Sequence, residues 1–204
     1  MVTMHRNHDT NVADPHAATG VAGRDTRLFD RALAALRIGF GLTFLWAFFD
    51  KLLALGFGTG AITDETGART GIDFFAKDGA WLNGGNPTKG FLTFGVPADN
   101  PLQGMFNSMA GDPWVNVLFM AGLLGVGLTL TLGIGMKLGT ISGALMYAFM
   151  WIASWPLANN PVIDDHLLGV LSMIVLGLSA AGMTWGLGRA WSRTSLVRRA
   201  PILQ

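Results

Sequence analysis

The chain contains no cysteine. Disulfides, thiolate metal sites, iron–sulfur clusters and a cysteine-borne persulfide relay are therefore excluded within it. Histidine is also scarce. His5, His8 and His16 sit in the polar N-terminal stretch, which leaves His166 alone in the body of the protein. A single copy cannot supply the two axial histidines of a haem. Asp, Glu, Lys and Arg together make up 13% of residues, against roughly 25% in soluble domains. Walker, dinucleotide-binding, nucleophile-elbow and HExxH motifs are missing, and nothing supports a role with nucleic acid. Residues 1–30 lack the apolar core of a signal peptide. They read as a disordered cytoplasmic tail whose histidines are solvated or bind metal adventitiously, with the first apolar segment as an uncleaved signal anchor.

Apolar sequence is abundant instead, at 50% of the 204 residues. It is gathered into runs at Leu33–Leu55, Trp114–Leu132, Leu138–Leu157 and His166–Gly186. Each approaches the roughly 20 residues that carry a helix across about 30 Å of hydrocarbon. The link Gly133–Lys137 is short enough to force an antiparallel hairpin, and Ala158–Ile163 makes a second turn. The expectation is an all-α polytopic membrane protein, a four-transmembrane-helix up-down bundle over residues 31–188. A long ordered external loop, 56–113, joins helices one and two, and a basic tail, 189–204, follows. Arg6, Arg24, Arg27 and Arg31, then Lys137, then Arg189, Arg193, Arg198 and Arg199 mark one side. The other carries Asp64, Glu65, Asp73, Asp78, Asp99, Asp112, Asp164 and Asp165 against Arg69, Lys77 and Lys89. The positive-inside rule puts both termini in the cytoplasm.

Small residues at Gly139-xxx-Gly143 and Gly182-xxx-Gly186, with Gly122, Gly125 and Gly127, read as close helix contacts. The 56–113 loop scatters Phe74, Phe75, Trp81, Phe91, Phe94 and Phe106 among glycines. Short amphipathic pieces are expected near Ile72–Leu82 and Pro101–Met109, forming either a lid over the bundle or a partner-docking surface.

Ionisable residues inside apolar runs are costly and mark candidate sites. At 100° per residue Arg37, Gly41, Phe44, Phe48 and Lys51 form one stripe of the first helix. Arg37 can snorkel to the nearer interface. Asp50, beside Lys51 and followed by Leu52–Leu55, cannot, so it needs a partner or lines a polar pocket. Tyr147, Trp151 and Trp155 recur at i, i+4, i+8, with Trp46 at comparable depth. Such aromatics either pack the core or flank a planar ring such as a quinone. In Asn159–His166, Asp164 can cap the fourth helix and Asp165 suits its positive N-terminus. His166 beside two carboxylates suits a proton relay. A metal is the weaker reading of this group, and no metal site is assigned.

The segment Arg37-Ile-Gly-Phe-Gly41-Leu-Thr-Phe-Leu-Trp-Ala-Phe-Phe-Asp50-Lys51-Leu resembles the first helix of DoxX-family membrane proteins. Asn159–His166 and the Trp185–Gly188 ending look like the actinobacterial branch, often labelled the DoxD-like large subunit of thiosulfate:quinone oxidoreductase. The resemblance covers about residues 27–200 and maps Arg37, Gly41 and Lys51 onto the family pattern. It implies a multi-pass subunit in a bacterial cytoplasmic membrane, in contact with the lipid bilayer. Oxidation of thiosulfate or another small reduced compound would be linked there to quinone. Without cysteine, a covalent sulfur intermediate would have to reside on a second oxidoreductase subunit. In this reading quinone lies among Trp46, Trp151 and Trp155, with Tyr147 and Arg37 contributing. Lys51 or His166 hydrogen-bonds a carbonyl, and Asp50 or Asp165 relays protons. The acidic loop face argues against an anionic substrate. The alternative is a non-enzymatic anchor or assembly partner whose 56–113 loop docks an extracytoplasmic redox protein.

Overall fold

A computed structural model describes the backbone of residues 15–203 and side chains from Asp25 onward. The main helices are α1 (Pro15–Leu53), α3 (Pro113–Leu132), α4 (Met136–Ala153) and α5 (Asp165–Leu178), with a short α2 (Gln103–Met109) before α3. Helix α1 reaches back to Pro15, into the segment expected to lack structure, while residues 1–14 lie outside the described residues. Helix α1 packs along α3, α3 along α4, and α4 along α5. The shared core joins Phe44 and Phe48 of α1 to Met120, Leu123, Val126 and Leu130 of α3, Met136 of α4, and Met173 and Leu176 of α5. Outward faces carry large apolar side chains such as Leu42, Leu118, Leu145 and Leu171, more than half exposed. That inverts the pattern of a water-soluble surface and suits a lipid solvent.

Three helices are long and apolar enough to cross a membrane: Asp25–Leu53, Pro113–Leu132 and Met136–Ala153. The fourth run departs from expectation. It is helical only over the 14 residues of α5, about 21 Å at 1.5 Å per residue. Ser179 turns extended (φ −94°, ψ 165°). Its hydroxyl donates to the Leu176 carbonyl at 3.0 Å and accepts from the Ala181 N–H at 3.3 Å, diverting the chain into a 3₁₀ turn at Ala181–Met183. Gly182-xxx-Gly186 therefore lies beyond the helix. Its glycines bring this irregular segment against the α3–α4 turn: a Cβ on Gly182 would meet the Gly133 carbonyl oxygen at 2.8 Å. That turn needs left-handed backbone at Gly133 (φ 71°) and Gly135 (φ 59°), which glycine adopts without a steric penalty. Gly139 and Gly143 do make the expected close contact, facing Thr129 of α3 and Met173 of α5.

The 56–113 connection is folded. A hairpin pairs β1 (Ala61–Thr63) with β2 (Arg69–Ile72), which the amphipathic reading of the loop did not anticipate. Helix α2 falls where Pro101–Met109 was expected to be amphipathic. The Ile72–Leu82 stretch is mostly turns, ending in a 3₁₀ turn at Trp81–Asn83. A second core of Leu92, Val96, Phe106, Val115 and Ala153 packs the loop onto α3 and α4. After α5 the chain forms two short helices, α6 (Gly188–Trp191) and α7 (Ser195–Arg199), and turns back so that Lys137 Nζ donates to the Pro201 carbonyl at 3.4 Å. We call the end holding the 56–113 loop and the α4–α5 connection the loop side, and the opposite end the terminal side.

Candidate functional site

Two charges of α1 are withdrawn from solvent, Arg37 at mid-helix on the terminal side of the bundle and Asp50 near the C-terminal end of the helix. Arg37, 0% exposed, reaches across to the last turn of α3 and to the segment after α5. One terminal nitrogen donates to the carbonyls of Leu130 and Thr131, the other to those of Thr184 (3.2 Å) and Trp185 (3.0 Å). The last carbonyls of a helix lack intrahelical donors and carry partial negative charge. A guanidinium satisfies several at once through its planar fork of N–H groups. No carboxylate pairs with it among the described residues. Its Nε and the Thr131 hydroxyl are buried without a partner among the described residues. Snorkelling does not describe this residue, because its head points into protein.

At the loop side Asp50 is 2% exposed and accepts three successive backbone N–H groups, from Phe57 (3.0 Å), Gly58 (2.6 Å) and Thr59 (3.2 Å). The Thr59 hydroxyl donates to the Asp50 carbonyl at 2.8 Å. The carboxylate thus holds the first turn of the loop. Lys51, the next residue, is half-buried and makes no hydrogen bond or ion pair among the described residues, although it feels the Asp50 charge. A Cβ on Gly58 would lie 2.7 Å from Asp50 Oδ2 and 3.2 Å from Lys51 Nζ, so both charged groups flank a glycine that leaves them room. Trp46 meets Phe57 edge-on at 5.1 Å, and the Arg69 guanidinium lies 4.2 Å over the Phe57 ring while donating to the Gly56 carbonyl at 2.9 Å. Trp46, Asp50 and Lys51 therefore gather with Phe57, Gly58 and Arg69 around one turn.

The other sequence candidates sit elsewhere. Tyr147 packs edge-on against Phe40 (6.1 Å) and Phe44 (5.4 Å), its ring against Gly169 of α5. Trp151 donates its indole N–H to the Val162 carbonyl at 3.0 Å, bracing the α4–α5 connection. Trp155 is partly exposed, and its carbonyl accepts from Asn100 Nδ2 at 2.7 Å. No ring contact joins Trp46 to either of them among the described residues. His166 Nδ1 lies 2.7 Å from Asp164 Oδ2 and 3.6 Å from Asp165 Oδ1. Asp164 also caps α5 by accepting the Leu167 N–H at 2.9 Å. Burial pushes the Asp164 carboxyl up, but the hydrogen bonds from Leu167 and His166 outweigh it and hold the group below the usual carboxylate range. The three side chains could offer ligand atoms within 4.8 Å of one another. Both Asp164 oxygens are already engaged in the cap and with the imidazole. No hydrogen bond or ion pair links His166 to Lys51 among the described residues.

Three polar residues that bolt the loop down escaped the sequence reading. Asn100 is buried and donates to the carbonyls of Ile152 (2.8 Å), Ala153 (3.2 Å) and Trp155 (2.7 Å), closing the C-terminal end of α4. Asn116, buried on α3, accepts from the N–H (3.2 Å) and hydroxyl (2.7 Å) of Thr88. Only the Asn-Pro and Pro-rich surroundings hinted at ordered turns, and neither predicts these partners. No protein-family model, curated protein or solved structure matches the chain.

Proposed function

We propose that the chain is a membrane subunit of the DoxX type that serves quinone-linked oxidation of a small reduced compound, with its site at the loop end of α1. The observation that carries this reading is Lys51, a half-buried ammonium with no acceptor among the described residues, set beside an Asp50 carboxylate wholly committed to the loop backbone. Leaving a desolvated donor unmatched is costly, and an acceptor such as a quinone carbonyl would match it. Trp46 and Phe57 supply apolar, partly exposed walls on the lipid side of the same turn. A quinone supplies a two-electron, two-proton acceptor when bound. Lys51 would orient it by donating a hydrogen bond, and Asp50 would hold the turn that shapes the pocket. Trp151 and Trp155 would stand apart from this pocket, bracing the loop side.

The same proposal places four crossings in a bacterial cytoplasmic membrane, the fourth made by α5 together with the turns that follow it, with both termini cytoplasmic. Arginines in the first half of α1 and after α5, with Lys137 in the first turn of α4, support that orientation. Because the chain has no cysteine, single cysteines placed at Asp99 and Ser195 can be labelled with a membrane-impermeant maleimide in intact cells. Labelling at 99 alone is expected, and labelling at 195 alone reverses the topology.

Quinone reduction by membranes carrying the full chain, with thiosulfate as donor, tests the site. Lys51→Ala is expected to lower the rate at least about tenfold, the worth of one lost hydrogen bond to a charged group, while the protein remains folded. An unchanged rate removes Lys51 from the chemistry. The second reading, a docking platform for an extracytoplasmic redox protein, is favoured by the loop itself. Asn100, Thr88 and Asn116 hold it rigid while Phe74 and Phe94 stay largely exposed. Partner capture that survives Lys51→Ala but fails for Phe74→Ser with Phe94→Ser would support that role.

A further inference from the structure

On the terminal side, away from Lys51, Arg27 and Arg31 of α1 and Arg189 of α6 converge on one cavity of about 480 Å³, whose remaining wall is Asp30 and the segment Met183–Gly186. Arg27 and Arg31 are one helical turn apart and share a face. All three guanidiniums are without ion-pair or hydrogen-bond partners among the described residues, and all three residues are exposed. Asp30 is also unpaired, so it offsets one of three positive charges without neutralising the cavity. The wall opposite α1 is fixed by Arg37, which binds the carbonyls of Thr184 and Trp185 and holds that turn against the helix. Trp185 is mostly exposed and held in left-handed backbone (φ 49°), at the place where an interfacial indole would meet headgroups.

We infer that this cavity binds the phosphate of an anionic phospholipid headgroup. Guanidiniums match phosphate oxygens in forked geometry. Basic pockets between membrane helices on the cytoplasmic side suit anionic headgroups, and the exposed Trp185 with the half-buried Met183 gives the glycerol end of a lipid an apolar contact. A free phosphate ester shares the phosphate chemistry but has no use for that apolar wall.

The test is native mass spectrometry of the full chain in mild detergent. It is titrated with an equimolar mixture of phosphatidylglycerol and phosphatidylcholine of identical acyl chains. The wild type is expected to retain phosphatidylglycerol preferentially. Arg27→Gln with Arg31→Gln should weaken that retention at least about tenfold, since each basic residue near a lipid surface contributes about one factor of five. Both side chains are exposed and unpaired, so thermal unfolding of the double variant should match the wild type. Arg198→Gln with Arg199→Gln removes equal charge outside the cavity and should leave the preference intact. Equal loss in both pairs would show only a general attraction to basic protein and overturn the site. Equal retention of the two lipids by the wild type would overturn it too. Arginine-dependent binding of millimolar inorganic phosphate without any lipid preference would reassign the cavity to a soluble phosphate and overturn the lipid.

Discussion

At its terminal side α1 sinks a guanidinium among carbonyls, and at its loop side the same helix sinks a carboxylate among amides. Arg37 meets four backbone oxygens from α3 and the segment after α5, and Asp50 meets three backbone nitrogens from a loop only a few residues ahead. Neither makes an ion pair among the described residues. In a chain with so few charges, exposed backbone groups at helix ends and turns are the commonest polar partners inside an apolar solvent. The two ends differ in reach. Arg37 joins elements 93 to 148 residues distant and so closes the tertiary fold, whereas Asp50 shapes a local turn. Lys51 stands outside both arrangements, with no hydrogen bond or ion pair among the described residues.

Cutting the long-range clamp should cost most. Arg37→Ala is expected to lose at least about 3 kcal/mol, because it strands several buried carbonyls at once. Arg37→Lys should restore only part of this, since an ammonium cannot span both carbonyl pairs. Thermal unfolding in detergent reads the difference, and equal stability of wild type and Arg37→Ala would remove the clamp from the account. Asp50→Ala should cost about 2 kcal/mol and expose the loop to limited proteolysis first near Phe57–Thr59. Cleavage elsewhere would mean that the carboxylate is not what holds this turn. A smaller change is expected at Asp164, where Asp164→Ala should cost about 1 kcal/mol as a lost helix cap. Its carboxyl is held below its unfolded value, so its contribution is complete above the unfolded range of about 4 and fades as pH falls through the lower folded value. Wild type should therefore lose stability faster than Asp164→Ala on acidification below about pH 4, and parallel curves would contradict the linkage. Lys51→Ala should leave stability within about 0.5 kcal/mol, so a large loss would turn Lys51 from a ligand group into part of the packing.

The first three spans and the hairpin turn between α3 and α4 were legible because length, hydropathy and a glycine-rich five-residue link are local properties. Asp164 as the α5 cap and the helix within Pro101–Met109 were legible for the same reason. The early end of α5 was not. Hydropathy runs on past Ser179, and what turns the chain there is a side-chain hydroxyl bonded to its own backbone followed by glycines that approach Gly133. The candidate site was half legible. Trp46, Asp50 and Lys51 are neighbours on one helix and stay together, but Trp151 and Trp155 depend on where α4 and its following turn meet the loop. Asn100 and Asn116 gave no local signal, since an asparagine that closes a distant helix end, or one on a helix that accepts from a loop threonine, reads like any other polar residue.

The sequence by itself determined that the chain is helical and apolar enough to cross a membrane. It also marked where charge interrupts the apolar runs, because burial in lipid acts on each segment independently. Only the tertiary structure decided what each of those charges does. A buried charge is settled by whichever polar groups come within about 3 Å, and for Arg37 those groups belong to segments that meet it only once the helices have packed.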